Sequence, residues 1–125
     1  MKEWIWIALG GGIGSTLRYL TTSLLSRYGS GNFPLGTFTV NLLGCFFMGI
    51  LFGLSTKFTP PHPIWRAFFQ VGICGGYTTF SAFSLDNLKL LESGQYGIAT
   101  LYATGSLVIG LLAVWLGYAL TRQMG

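Results

Sequence analysis

The sequence predicts an all-α membrane protein with four spanning helices, and three observations carry that reading. Only 8% of the 125 residues are charged, seven bases and three acids, against roughly a quarter in soluble domains. Hydrophobic residues make up 51% and the mean hydropathy is +0.60. The charges are also clustered, with none between Arg27 and Lys57, between Arg66 and Asp86, or between Glu92 and Arg122. Two of these gaps are 29 residues long and the middle one is 19. About 20 apolar residues cross a hydrocarbon core about 30 Å thick. So few charges could not clothe a soluble domain of this size, which excludes an ordinary soluble enzyme, a disordered tail and a disulfide scaffold.

The chain reads as a single domain, 1–125, with spans near 4–24, 35–55, 64–85 and 98–119. The first is apolar but carries Arg18; Gly10 to Gly14 and that arginine interrupt it, and no convincing cleavage site follows, which argues against a signal peptide. The second begins after Tyr28-Gly29-Ser30-Gly31-Asn32-Phe33-Pro34, and the third after Thr59-Pro60-Pro61-His62-Pro63, whose prolines break helices. Glu92-Ser93-Gly94-Gln95 precedes the fourth. Trp4, Trp6, Trp65 and Tyr118 fall near the proposed ends, where aromatic belts form. Cys45 and Cys74 both lie inside spans and read as small packing residues, too few for a metal site.

Four spans put Lys2, Lys57, Arg66 and Arg122 on one side, and Arg27 and Lys89 on the other, with Arg18 a third if it reaches that interface. Positive residues in loops set orientation. So even a split permits insertion both ways, and hence an antiparallel homodimer. Four helices make a poor solitary pore, because a narrow bundle is filled by its own side chains. The pairs Gly10/Gly14, Gly49/Gly53 and Gly72/Gly76 have the spacing for close helix approach, within one subunit or against a second.

No Asp, Glu, His or Lys lies in the interior of any predicted span. A proton-coupled carrier needs a titratable group at depth, so passive conduction fits better than antiport. Arg18 lies fourteen residues past Trp4, about 21 Å along a helix rising 1.5 Å per residue. It is either a snorkelling interfacial arginine or a charge that draws anions into a vestibule. Thr37 and Asn41, four apart on one helix face, either bond a neighbouring helix or offer donors to a dehydrated anion.

Gly75-Gly76-Tyr77-Thr78-Thr79-Phe80-Ser81-Ala82-Phe83-Ser84 places two glycines and two β-branched threonines at mid-membrane, where they weaken helix propensity. A break there frees carbonyls that must be buried in protein or meet a cation. Phe80 and Phe83 would share a face, as core packing or as ring edges whose positive rim attracts an anion without fixed charge. Tyr102 and Ser106 share a face of the fourth span and could extend a polar track. No GxGxxG, P-loop, HExxH or nucleophile elbow is present. The net charge of +4 reflects scarce acids and no basic patch, so nucleic acid is not an expected partner.

On these residues the chain resembles the Fluc (CrcB) family of bacterial fluoride channels. The blocks that carry the likeness are Gly10-Gly11-Gly12-Ile13-Gly14 with Arg18-Tyr19, Gly36-Thr37-Phe38-Thr39-Val40-Asn41-Leu42-Leu43-Gly44, and the specific run from Gly75 to Ser84. The resemblance implies an antiparallel dual-topology homodimer with two pores, a broken third helix and passive, selective fluoride export that confers fluoride resistance. It implies a fluoride pathway of Phe80, Phe83, Asn41, Thr37, Ser81, Tyr102 and Ser106, with Arg18 as the vestibule charge. It also implies a structural sodium ion at the dimer centre, held by the main-chain carbonyls of Gly75 and Thr78. The implied location is the bacterial plasma or inner membrane, multi-pass. Ala82 stands where familiar members carry threonine or serine, and Gly110 where some continue the hydroxyl track; these departures bear on how polar the track is here and not on the channel assignment. The competing readings are a small-multidrug-type proton-coupled exporter, disfavoured by the lack of an acid in the first span after Glu3, and a non-conducting assembly factor.

Overall fold

The computed structural model describes residues 2–29, 31–57 and 62–123, and every element among them is helical. Helix α1 runs Glu3–Ser26 and α2 Leu35–Lys57. The third segment is composite. It opens as α3, Pro63–Trp65, continues as a π-helix over Arg66–Cys74 and closes as α4, Gly75–Tyr77. After Thr78 and Thr79 the chain turns helical again as α5, Phe80–Glu92, and ends in α6, Tyr96–Gln123. Ser30, Thr59, Pro60 and Pro61 of the predicted connections lie outside the described residues.

Local chemistry explains these boundaries. The His62 Nδ1 accepts the Ile64 N–H at 3.2 Å and Pro63 takes the first helical position, where its missing donor costs nothing. Between α5 and α6 the chain reverses through Gly94 at φ +78°, a conformation that suits glycine. The α5 helix extends to Glu92, seven residues past the predicted span end at 85, so Asp86 sits within a helix and not at its end. α2 and α6 are each long and apolar enough to cross a bilayer. Threonines in the apolar α1 satisfy their hydroxyls on their own helix, as Thr16 does on Gly12 at 2.7 Å and Thr21 on Leu17 at 2.8 Å.

Two helix pairs form the body of the fold, and glycines set both. On α2 and α6, a Cβ at Gly49 would overlap the Val114 carbonyl oxygen, one at Gly53 the Thr121 hydroxyl, and one at Gly117 the Phe46 carbonyl oxygen. From Cys45 against Gly110, through Gly49 against Val114, to Gly53 against Thr121, the contacts climb both helices together, so the pair runs parallel. On α1 and the π-helix, Gly10 faces the Phe68 carbonyl and Gly14 the Ile73 carbonyl, again without room for a Cβ. The two carbonyls are five residues apart and the two glycines four, so one π turn is set against one α turn. The buried side-chain core is correspondingly small. Leu90, Ala99 and Tyr102 anchor it, with Phe33, Phe38, Phe83 and Ile98 packed around them. Large apolar side chains cover the outside, among them Leu101, Leu107, Leu111 and Trp115 on α6.

Candidate functional site

The site grows out of the interruption at Thr78 and Thr79. Both residues are extended, at φ −85°, ψ 158° and φ −152°, ψ 123°. In a continuous helix the Thr79 N–H would go to the Gly75 carbonyl. Here it goes to Asn41 Oδ1 at 2.8 Å, while Asn41 Nδ2 donates to the Thr79 carbonyl at 3.1 Å. The side-chain amide thus pairs with both the N–H and the carbonyl of one residue, as a neighbouring strand would. A continuous helix would also bring the Ala82 N–H to the Thr78 carbonyl. That donor goes instead to Thr79 Oγ1 at 3.1 Å, which caps α5.

These exchanges release the carbonyls of Gly75 and Thr78 from helical pairing. Arg18 answers one of them, its Nη1 donating to the Thr78 carbonyl at 3.3 Å. One turn further on, Thr21 Oγ1 and the Tyr77 hydroxyl lie 3.1 Å apart. The interruption is therefore held from two sides, by α1 through Arg18 and by α2 through Asn41. Gly44 makes room for it, since a Cβ there would collide with the Thr78 methyl group.

Beside the interruption lies a cavity of about 390 Å³, lined by Asn41, Gly44, Cys45, Met48, Thr78, Thr79, Phe80, Phe83, Ser106, Leu107 and Val114. It brings together Asn41, Phe80, Phe83 and Ser106 of the predicted pathway, along with Thr78. The Phe80 and Phe83 rings are 5.7 Å apart at 42°. Phe80 is 79% exposed, so the wall it forms is open on its outer side. The Ser106 Oγ is buried and has no hydrogen-bond partner among the described residues, an acceptor and donor left available beside the cavity. No carboxylate or basic side chain lines this space.

Three predicted residues sit elsewhere. Tyr102 is fully buried behind Phe83, its ring 5.0 Å away, and donates to Asp86 Oδ2 at 3.1 Å. Thr37 is a second polar neighbour of that phenol, so the two members of the Thr37/Asn41 face serve different partners. Ser81 is exposed, with its Oγ 3.2 Å from Thr79 Oγ1. Of the two noted departures, Ala82 contributes its N–H to the Thr79 cap, and Gly110 faces the Cys45 sulfur with ordinary room for a methyl. Sequence reasoning missed Thr79, which is both the cap of α5 and the partner of Asn41. It also missed the pairing of Asp86 with Tyr102; an acid sixteen residues before a tyrosine across a turn was the available signal.

Comparison with known proteins identifies the family. The family model described as CrcB-like protein, Camphor Resistance (CrcB), matches residues 5–118. The fluoride-specific ion channel FluC of Flavobacterium psychrophilum is 46% identical over 99% of this chain and 100% of its own length. The proteins of the same name from Azobacteroides pseudotrichonymphae and Phocaeicola vulgatus are each 48% identical, over 98% and 94% of this chain and 98% and 96% of theirs. A family match spanning nearly the whole chain, with relatives this similar end to end, makes the chain a member of the CrcB family.

Proposed function

We propose that this chain is the subunit of a passive fluoride channel, not an enzyme, that releases fluoride from the cytoplasm of a bacterium across its plasma or inner membrane. Its close relatives are named fluoride-specific ion channels. The observation that carries the reading is the cavity itself, where an amide, a free hydroxyl and two phenylalanine rings meet beside broken backbone, with no fixed charge among them. Donors and ring edges replace part of a small anion's hydration without binding it permanently. Arg18, at the same break but outside the cavity lining, supplies positive potential. A membrane potential negative inside drives an anion outward by about 2.3 kcal/mol per 100 mV, so no proton relay or nucleotide is needed.

The working unit in this reading is an antiparallel, dual-topology homodimer with four spans per subunit and a broken third span. The open outer wall at Phe80 supports a second subunit, and the even charge split supports insertion in both directions. A structural sodium ion would be held at the break by the Gly75 and Thr78 carbonyls, hard oxygen donors suited to a hard cation. Both carbonyls have lost their helical donors. Gly75 is the better prepared of the two, because Thr78 already shares its oxygen with Arg18.

Efflux from proteoliposomes, read with a fluoride electrode and a chloride electrode, tests the function. Fluoride leaves and chloride stays; equal loss of both ions overturns the assignment. Phe80→Ile with Phe83→Ile abolishes flux while the oligomer survives, whereas dissociation would mark the rings as packing residues. The exporter reading has little support. Asp86, the carboxylate midway along α5, is engaged with the buried Tyr102 hydroxyl.

A further inference from the structure

A second polar site lies at the far end of the α2/α6 pair, away from the break. Because these helices run parallel, the basic residues of their last turns, Lys57 and Arg122, emerge together. They flank a notch of about 290 Å³ whose other walls are Gly53, Thr56, Tyr118 and Thr121. The missing Cβ of Gly53 brings Thr121 hard against α2 and so draws the two helix ends close. Lys57 Nζ donates to the Thr121 carbonyl at 3.0 Å, and the Arg122 guanidinium lies 5.8 Å from the Tyr118 ring centre.

Part of this positive charge offsets the negative ends of two helix dipoles. Donors remain, since an ammonium carries three and a guanidinium five, and only one bond from Lys57 is taken up by the Thr121 carbonyl. Among the described residues no carboxylate lines the notch. Immediately toward the helix middles the outer surface turns apolar, with Phe52, Trp115, Leu116 and Leu120 exposed. Both helices are long and apolar enough to cross a bilayer, so the notch lies at the level of lipid headgroups. Basic pockets between membrane helices at that depth suit anionic headgroups.

We propose that this notch binds the phosphate headgroup of an anionic phospholipid, with the acyl chains lying along the apolar face of α6. Lys57 and Arg122 supply the charge, and the continuous apolar surface below distinguishes a lipid from free phosphate. The site is separate from the ion pathway and stands or falls without it.

Native mass spectrometry of the full chain with equal amounts of phosphatidylglycerol and phosphatidylcholine tests the proposal. The wild type retains phosphatidylglycerol about tenfold over phosphatidylcholine. Lys57→Gln combined with Arg122→Gln brings the ratio to about one, while Lys57→Arg combined with Arg122→Lys preserves it. Millimolar inorganic phosphate leaves the lipid bound. Equal retention of both lipids by the wild type, or a preference that survives the double glutamine variant, overturns the site. Displacement by inorganic phosphate overturns the lipid as its ligand. Fluoride efflux from phosphatidylcholine vesicles, unchanged in the glutamine variant, separates a failure here from a failure of the channel reading.

Discussion

The α2/α6 seam and the Thr78–Thr79 interruption solve opposite problems in one small chain. Along the seam, helices meet because side chains are missing. Gly49, Gly53 and Gly117 let carbonyls and a hydroxyl of the partner helix occupy the space of a Cβ. At the interruption, backbone stays in order because side chains are present, as Asn41 and Arg18 supply the hydrogen bonds a helix would have made. Close approach in lipid rests on van der Waals contact between small residues. Unpaired backbone in the same surroundings is costly and tolerated only where it is buried in protein or lines a cavity. The seam is thus a steric device and the interruption a polar one, and they fail in different ways.

Adding bulk to the seam is the harshest test of that difference. Gly117→Val forces the Phe46 carbonyl to move and costs about 3 kcal/mol or more. Thermal unfolding in detergent shows the loss, and no change of solvent or ion restores it. Asn41→Leu keeps the same heavy-atom count and branching yet strands the N–H and carbonyl of Thr79, costing about 2 kcal/mol. Its signature is different, because fluoride efflux collapses while the helical far-ultraviolet signal stays near wild type. Gly110→Ala is the control. The methyl would meet the Cys45 sulfur at 3.6 Å, an ordinary contact, and stability changes by about 0.5 kcal/mol or less. A large loss at Gly110, or a negligible one at Gly117, would break the steric account of the seam.

Much of this was legible before any coordinates. Charges cannot sit in hydrocarbon, so the gaps after Arg27 and Glu92 marked the apolar helices that now run Leu35–Lys57 and Tyr96–Gln123. Two glycines followed by two threonines marked the stretch where helical pairing is exchanged for side-chain bonds. Tertiary partnership was not legible. Asn41 and Thr79 are 38 residues apart and Arg18 and Thr78 are 60 apart, and hydropathy says nothing about which buried polar groups meet. The π winding of Arg66–Cys74 was not legible either: Gly72 marks the close approach to Gly10, but one glycine does not say which winding fits the neighbouring helix. Ser106 was named for sharing a face with Tyr102, yet one lines the cavity and the other lies fully buried behind Phe83.

The seam glycines also bear on heredity. Every missense change in a glycine codon installs at least one carbon beyond the backbone, so Gly49, Gly53 and Gly117 have no conservative neighbour in sequence space. Neutral drift is closed at those three sites, whatever the new residue's polarity. Variation is channelled instead to outward positions such as Leu101 and Leu111, whose side chains are mostly exposed. The chain's tolerance of mutation is therefore written in where its carbons are absent.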